Sequence, residues 1–228
     1  MTAEPHIDYD AGPQYWRSAD PGAGWMATAR FGLRPAPSGL ALVQDFLNTG
    51  AQPHRFPDLL ATMPGARRWS ARAARVWLRE RQVQVQAPVL GRDGLAGLRD
   101  LRGIVKGLTQ GAAAVSVGDL GTVTLTLSRS GELYWLPTGD GWRWWSAAVC
   151  AEILASQEKG TWSRLKQCAS ATCRVAFYDR SWDNSGVVHV STCGGAQAVE
   201  RKGARAVAEI DSQRACTFLH PIATEARS

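Results

Sequence analysis

Hydrophobic residues recur at the spacing of an amphipathic helix in three stretches of the chain. In the first stretch, Val76 and Trp77 share a face with Trp69, and Ser70 is a candidate N-cap. In the second, leucines and Ile104 recur every three residues, and in the third the apolar face includes Cys150 as a small hydrophobic residue. The pattern predicts helices over residues 70–82, 94–108 and 142–156.

Polar and apolar residues alternate strictly over residues 122–128, where threonines separate Val123, Leu125 and Leu127. Residues 129–131 favour a turn and a second run follows over 132–136, so we predict a β-hairpin. The apolar run 40–47 is too short for its period to separate a buried strand from a helix. These elements predict an α+β fold that is mainly helical, with a small β-hairpin or sheet.

Tryptophan is clustered at the start of the third predicted helix, at Trp142, Trp144 and Trp145. Such residues can stack on nucleic-acid bases. Because tryptophan is mostly buried and these three precede an amphipathic helix, we expect them to pack in the core.

The composition is that of a globular protein, with 45% hydrophobic and 20% charged residues in 228. The net charge of +6 tolerates an acidic partner without requiring one. No apolar run is long enough to span a membrane, and the first residues lack the apolar core of a secretion signal. We therefore expect a cytoplasmic protein without a membrane partner, and the sequence predicts no particular oligomeric state.

Composition and spacing divide the chain into four expected parts. A proline- and glycine-containing segment over residues 1–28 is expected to be extended, and a larger α+β domain follows over residues 29–160. We place a boundary near Gly160, followed by a small metal-binding module over residues 161–214 and a flexible tail over residues 215–228.

Candidate metal ligands are concentrated in the third part. Cys168 and Cys173 are separated by four residues, fifteen residues follow, and His189 and Cys193 are separated by three. Zinc in structural sites is held by four cysteine or histidine ligands, which are commonly supplied as two close pairs. We predict one Zn²⁺ at this site, with a structural role because four protein ligands complete its coordination.

Cys216 and His220 have the same separation as His189 and Cys193 and are an alternative second pair. The earlier pair is favoured because it closes a shorter loop. Around the ligands we expect a treble-clef-like module with a strand over residues 175–178, a bend at residues 183–186 and a returning strand over residues 187–190. A helix from Ala196 to about Ile210 is expected to follow Cys193.

The stretch from Cys168 to Ser181, followed by Cys193-Gly194, resembles the CGNR zinc finger. In bacterial proteins that finger follows a domain named ABATE, described as a stress-induced transcription regulator. Residues 40–49, which end in Asp-Phe-Leu-Asn-Thr, are similar to the opening motif of that domain. The resemblance implies a zinc-containing DNA-binding transcription regulator.

The chain departs from the family pattern at several positions. His189 stands where the family usually has cysteine, and Gly195-Ala196 replace an Asn-Arg pair. Residues 184–188 carry no positive charge where the family has arginines. The remaining basic residues are the candidate phosphate contacts of the finger, namely Arg201, Lys202, Arg205, Arg174 and Arg180.

A second basic feature lies on the first predicted helix, where arginines recur at helical spacing. These arginines could follow the phosphates of a duplex, although a solvated helix face is the more ordinary interpretation. The stripe consists of Arg68, Arg72, Arg75 and Arg79.

Two other functions remain open from the sequence. The protein could be an enzyme or a small-molecule binder, with a ligand in the larger domain and the zinc module kept only as a structural support. We find no glycine-rich phosphate loop and no nucleophile with a base, which makes an enzyme the less favoured interpretation. Asp45 and Asn48 could line a pocket, but turn or packing roles are favoured. A protein–protein adaptor, contacting partners through exposed tryptophans, is the third possibility.

Overall fold

The computed structural model describes residues 24–52, 55–83, 85–86, 88–111, 120–129, 131–190 and 193. Residues 26–28, the last positions of the segment predicted to be extended, lie in the first helix. The helices are α1 (Met26–Ala29), α2 (Leu40–Leu47), α3 (Met63–Glu80), α4 (Gly94–Thr109) and α5 (Gly141–Glu158); the strands are β1 (Val123–Leu127), β2 (Leu133–Pro137), β3 (Leu165–Gln167) and β4 (Ala176–Tyr178). None of the described helices has both the length and the apolar character needed to cross a membrane.

The short apolar run whose period was ambiguous forms α2, and every residue of this helix is buried. It contacts α1, α3, α4, α5 and β4. Because neighbours cover α2 on several sides, its polar residues are buried together with its apolar ones. Its Gln44 and Asp45 are therefore buried polar groups that need partners within the protein.

The helix predicted to begin at Ser70 begins earlier, so that prediction of the N-cap is wrong. Thr62 caps α3 by accepting a hydrogen bond from the Gly65 N–H at 3.3 Å, and Pro64 lies in the first turn. Ser70 is buried in the middle of the helix, where its hydroxyl accepts a hydrogen bond from Trp145 Nε1 at 2.8 Å. A serine in a helix interior is thus explained by a tertiary hydrogen bond rather than by capping.

The core is built around tryptophans from α3 and α5. The ring centroids of Trp69 and Trp145 lie 5.0 Å apart, and those of Trp144 and Trp145 lie 5.0 Å apart in an edge-to-face arrangement. Trp144 and Trp145 are buried, and Trp142 packs against the same core. The prediction that these tryptophans serve core packing is confirmed.

The predicted hairpin and the two later helices are also confirmed. Strands β1 and β2 pair antiparallel, with Leu125 opposite Trp135. The hairpin reaches the core through Trp135, whose ring centroid lies 5.8 Å from that of Trp77 on α3. The second sheet, formed by β3 and β4, belongs to the metal module.

One buried carboxylate joins α2, α3 and α5. Glu152 of α5 accepts hydrogen bonds at Oε1 from Trp77 Nε1 at 2.7 Å and from Arg81 at 2.6 Å. Its other oxygen lies so close to Gly39 that a Cβ there would be 1.7 Å away. A side chain at position 39 would therefore displace the Glu152 carboxylate from its present position.

Candidate metal centre

The first two predicted ligands lie in the turn between β3 and β4. These strands pair antiparallel with Lys166 opposite Phe177. The Cys168 N–H extends the ladder by donating to the Val175 carbonyl at 2.8 Å, so Cys168 and Cys173 bracket the turn of the hairpin. Arg174 closes the turn with φ +55°, a left-handed conformation that is uncommon for residues other than glycine.

The returning strand predicted over residues 187–190 does not form, and β4 pairs with β3 instead. The reason is that both edges of β4 are already occupied. One edge bonds to β3, and on the other Ala176 bonds to the side chain of Asn48. We name the turn at residues 168–173 the knuckle. Among the described residues, one backbone hydrogen bond joins it to the segment before His189, from the Ala169 N–H to the Val187 carbonyl at 2.9 Å.

The structure brings all four predicted ligands together. The candidate donor atoms of Cys168, Cys173, His189 and Cys193 lie within 4.8 Å of one another. Cys173 Sγ is 3.5 Å from His189 Nδ1. A tetrahedral zinc site with metal–sulfur bonds of about 2.3 Å has ligand–ligand edges of about 3.8 Å. Small side-chain shifts would therefore close the four donors around a zinc ion.

The cluster is enclosed by apolar side chains from both parts of the protein. Cys168 and Cys173 are buried together with Val175 and Phe177. Phe31 and Leu33, which precede α2, pack against the same cluster with Val188. An apolar shell keeps water away from the donors, and three thiols with one imidazole leave no coordination position for a substrate. This arrangement is typical of a structural metal site.

Burial sets the protonation of the donors in the metal-free protein. It raises the pKa of the Cys173 thiol to about 12, with a further contribution from the neighbouring Cys168. It also raises the pKa of Cys193. Burial and the charge of Arg55 lower the pKa of His189, which keeps the imidazole neutral and able to ligate. The thiols must lose protons to ligate zinc, and the charge of the bound ion would stabilise the thiolates.

Side chains of α2 attach the larger domain to the metal module. Asn48 Oδ1 accepts a hydrogen bond from the Ala176 N–H at 2.8 Å, and its Nδ2 donates to the Ala176 carbonyl at 2.9 Å. Gln44 Nε2 also donates to that carbonyl, at 3.3 Å. Asp45 is buried and accepts hydrogen bonds from the Thr28 N–H at 2.7 Å and from Trp69 Nε1 at 2.9 Å, which is a packing role. We name the Asn48–Gln44–Ala176 contact the α2 clamp.

The loop after β4 contains an exposed tryptophan, and several hydrogen bonds hold the backbone of this loop. Lys166 Nζ donates to the Asp179 carboxylate at 2.7 Å and to the Gly186 carbonyl at 3.0 Å. Arg164 donates to the Ser181 carbonyl at 2.7 Å. Trp182, at the tip of this loop, is 96% exposed. The loop thus holds a large aromatic side chain in solvent beside the metal module.

The predicted phosphate contacts are only partly within the described residues. Arg174 is exposed next to the knuckle. Arg180 is exposed as well, and its guanidinium donates to the Pro35 carbonyl at 2.7 Å. Outside the part of the chain that the structure describes lie Arg201, Lys202 and Arg205, the predicted helix after Cys193, and the alternative ligands Cys216 and His220.

Sequence reasoning missed the roles of Asn48, Lys166 and Asp179 in holding the metal module. For Asn48 the sequence favours a turn or packing role, but it does not identify the partner, which is the backbone of Ala176, 128 residues away in the chain. Backbone partners leave no side-chain signal in the sequence. Only the position of Asn48 one turn after Gln44 on the same helix could have indicated a shared target.

The comparison with protein families agrees with this geometry. Residues 164–206 match the sequence model of the CGNR zinc finger family. The matched stretch includes β3, the knuckle, β4 and all four candidate ligands. The comparison with curated proteins gives no match. The site is therefore a zinc-binding module of the CGNR type within an α+β protein.

Proposed function

We propose that this protein, which carries a CGNR zinc finger over residues 164–206, is a DNA-binding transcription regulator. One zinc ion, held by Cys168, Cys173, His189 and Cys193, would fix the knuckle without taking part in chemistry. The finger would contact phosphate through Arg201, Lys202 and Arg205, with Arg174 and Arg180 nearby. The larger domain would then place the finger and respond to a ligand or a partner.

The observation that carries the proposal is an exposed cation directly beside a candidate metal ligand. Arg174 directly follows the ligand Cys173, and its backbone is held by the turn that closes the knuckle. Arginine forks match phosphate oxygens, and a fixed backbone lowers the entropy cost of binding. The exposed ring of Trp182 supports the proposal too, because aromatic side chains stack on bases or insert between base steps.

Titration of fluorescently labelled genomic fragments with the zinc-loaded full-length chain tests the proposal. We expect a preferred fragment with Kd on the order of 100 nM or tighter, and weaker binding to the rest. Arg201→Gln should weaken binding to all fragments, while the exposed Arg92→Gln serves as a control of equal charge change. Binding no tighter than micromolar at low salt, without preference among fragments, would contradict the proposal.

A second candidate function, small-molecule binding by the larger domain, is favoured by one cavity. A cavity of about 320 Å³ is lined by Trp77, Trp135, Arg81 and Glu152 among others. Arg81 lies over the Trp135 ring at 4.0 Å. Aromatic faces with convergent charged groups are typical of ligand pockets. A thermal-shift screen with metabolites tests it, because a ligand that binds the native state raises Tm.

A further inference from the structure

A narrow polar crevice lies where the zinc module meets the larger domain. One wall is formed by Gly50 and Ala51 after α2, and the other includes Cys173 and Arg174 of the knuckle. Lys106 of α4 also lines it. The crevice has a volume of about 10 Å³, which is room for roughly one water molecule or one anionic oxygen.

Lys106 carries a charge that the described part of the protein does not neutralise. Its side chain is half-buried, and no acceptor among the described residues bonds its ammonium. Burial and the positive charges of Arg102 and Arg174 lower its pKa. The opposing charge that acts on it among the described residues is that of Asp58, whose carboxylate already accepts from Arg102 at 2.8 and 2.6 Å. An ammonium in this setting costs the free protein stability.

The position of Lys106 relative to the knuckle is fixed by hydrogen bonds. Gln167 of β3 donates through Nε2 to the Lys106 carbonyl at 2.9 Å and to Thr109 Oγ1 at 2.5 Å. The last turn of α4 is thereby attached to the strand that leads into Cys168. Lys106 and Arg174 are therefore held at one crevice before any ligand binds, which lowers the entropy cost of using both.

Arg174 is exposed, and among the described residues it forms no ion pair. Its guanidinium is therefore available to a ligand at the crevice.

We infer that Lys106 and Arg174 bind a backbone phosphate of nucleic acid, so that the interface extends from the zinc module onto the larger domain. A phosphate oxygen in the crevice would pair with the half-buried ammonium, and the exposed guanidinium of Arg174 would engage the rest of the phosphate group. The crevice is too narrow for a base, so this contact positions the protein on the duplex and does not select sequence. The inference rests on the proposed DNA binding and adds a contact outside the finger.

The test measures the salt dependence of DNA binding by variants of the zinc-loaded full-length chain. Lys106→Gln and Arg174→Gln should each weaken binding to any duplex about three- to tenfold near 0.1 M salt. Each should lower the slope of log K against log salt by about 1. The control is Lys159→Gln, the same charge change at an exposed lysine that ends α5 and does not line the crevice. It should leave both quantities close to those of the unchanged protein.

Two further measurements separate the outcomes. The Lys106→Gln variant should keep its zinc and unfold at the same or a higher temperature, because the substitution removes a half-buried charge that has no partner. A clear fall in Tm would show that Lys106 has a structural role and would overturn the inference. Inorganic phosphate should raise Tm only at millimolar concentrations. If it binds more tightly than the duplex does, and Lys106→Gln abolishes that effect, the crevice takes a free anion and the inference is overturned.

The same binding measurements distinguish a failure of this inference from a failure of the proposed function. If the unchanged protein binds DNA and Lys106→Gln behaves like Lys159→Gln, the crevice plays no part and the regulator proposal stands. If the unchanged protein binds no DNA at low salt, both are overturned.

Discussion

At the scale of single residues, Asp179 organises the loop that follows β4. Its carboxylate accepts hydrogen bonds from Lys166 Nζ at 2.7 Å, the Ser181 N–H at 2.9 Å and the Gly186 N–H at 2.7 Å. A Cβ on Gly186 would lie 2.8 Å from this carboxylate, so glycine there permits the contact. Burial alone would raise the pKa of Asp179, but the hydrogen bonds from Lys166 and Ser181 outweigh it and hold the pKa below its usual value.

We predict that Asp179→Asn lowers the free energy of unfolding at pH 7 by about 2–3 kcal/mol, because it leaves the Lys166 ammonium without its carboxylate. The folded-state pKa lies below the unfolded value of about 3.9, so the stabilisation is complete above that pH and is lost as pH falls below it. Urea unfolding at pH 7 and pH 3 measures both effects. The difference between Asp179→Asn and the unchanged protein should shrink at pH 3. The control is Asp183→Asn, at an exposed aspartate in the same loop; an equal loss there would contradict the assignment.

At the scale of elements, the α2 clamp joins two parts of the protein that the sequence places far apart. The outer edge of β4 presents the N–H and C=O of Ala176 to Asn48, where a sheet would otherwise need another strand. A buried amide side chain can satisfy both groups at once because it offers one acceptor and one donor. The helix thus serves as the missing edge partner of the zinc hairpin.

Asn48→Ala is expected to destabilise the protein by about 2–4 kcal/mol, because the buried N–H of Ala176 loses its acceptor and its carbonyl keeps only Gln44. Zinc should then be released at lower chelator concentrations, since the knuckle hairpin has lost a support. Asn48→Asp keeps an acceptor for the N–H but loses the donor. Chemical unfolding and chelator titration of the three proteins provide the measurement. Unchanged zinc retention in Asn48→Ala would show that the clamp does not support the metal site.

At the scale of the whole molecule, the zinc module and the larger domain share an interface. Phe31 and Leu33 of the larger domain pack on the cysteine cluster, and Leu165 and Ala176 of the module belong to the main core. Lys106 and Gln167 add a polar contact between α4 and β3. Metal binding should consequently stabilise more than the knuckle alone.

Removal of zinc should lower Tm by roughly 10–20 °C, which corresponds to a loss of about 5 kcal/mol in a chain of this size. Cys168→Ser should lose zinc and unfold at that lower temperature without added chelator. Cys150→Ser is the matched control, because Cys150 is half-buried in α5 away from the cluster. Elemental analysis with thermal unfolding measures both quantities. If His189→Ala keeps zinc and His220→Ala loses it, the second ligand pair lies in the tail.

Local patterns were sufficient for much of this architecture. The hairpin of β1 and β2 follows from alternation, and α4 and α5 follow from helical spacing, because both periods depend only on neighbours along the chain. The metal ligands follow from the preferences of zinc and from the spacing of two close pairs. The burial of Trp144 and Trp145 follows from the size and apolar character of the indole ring.

Other features depended on contacts between distant residues. The run 40–47 is a helix because neighbours surround it, and Ser70 is internal to α3 because its hydroxyl meets Trp145. The strand expected over residues 187–190 is absent because Asn48 already occupies the free edge of β4. Lys106 and Arg174 likewise line one crevice because α4 packs on β3. Spacing along the chain determined which residues can bind the metal, whereas packing between elements decided what holds that site and which charges surround it.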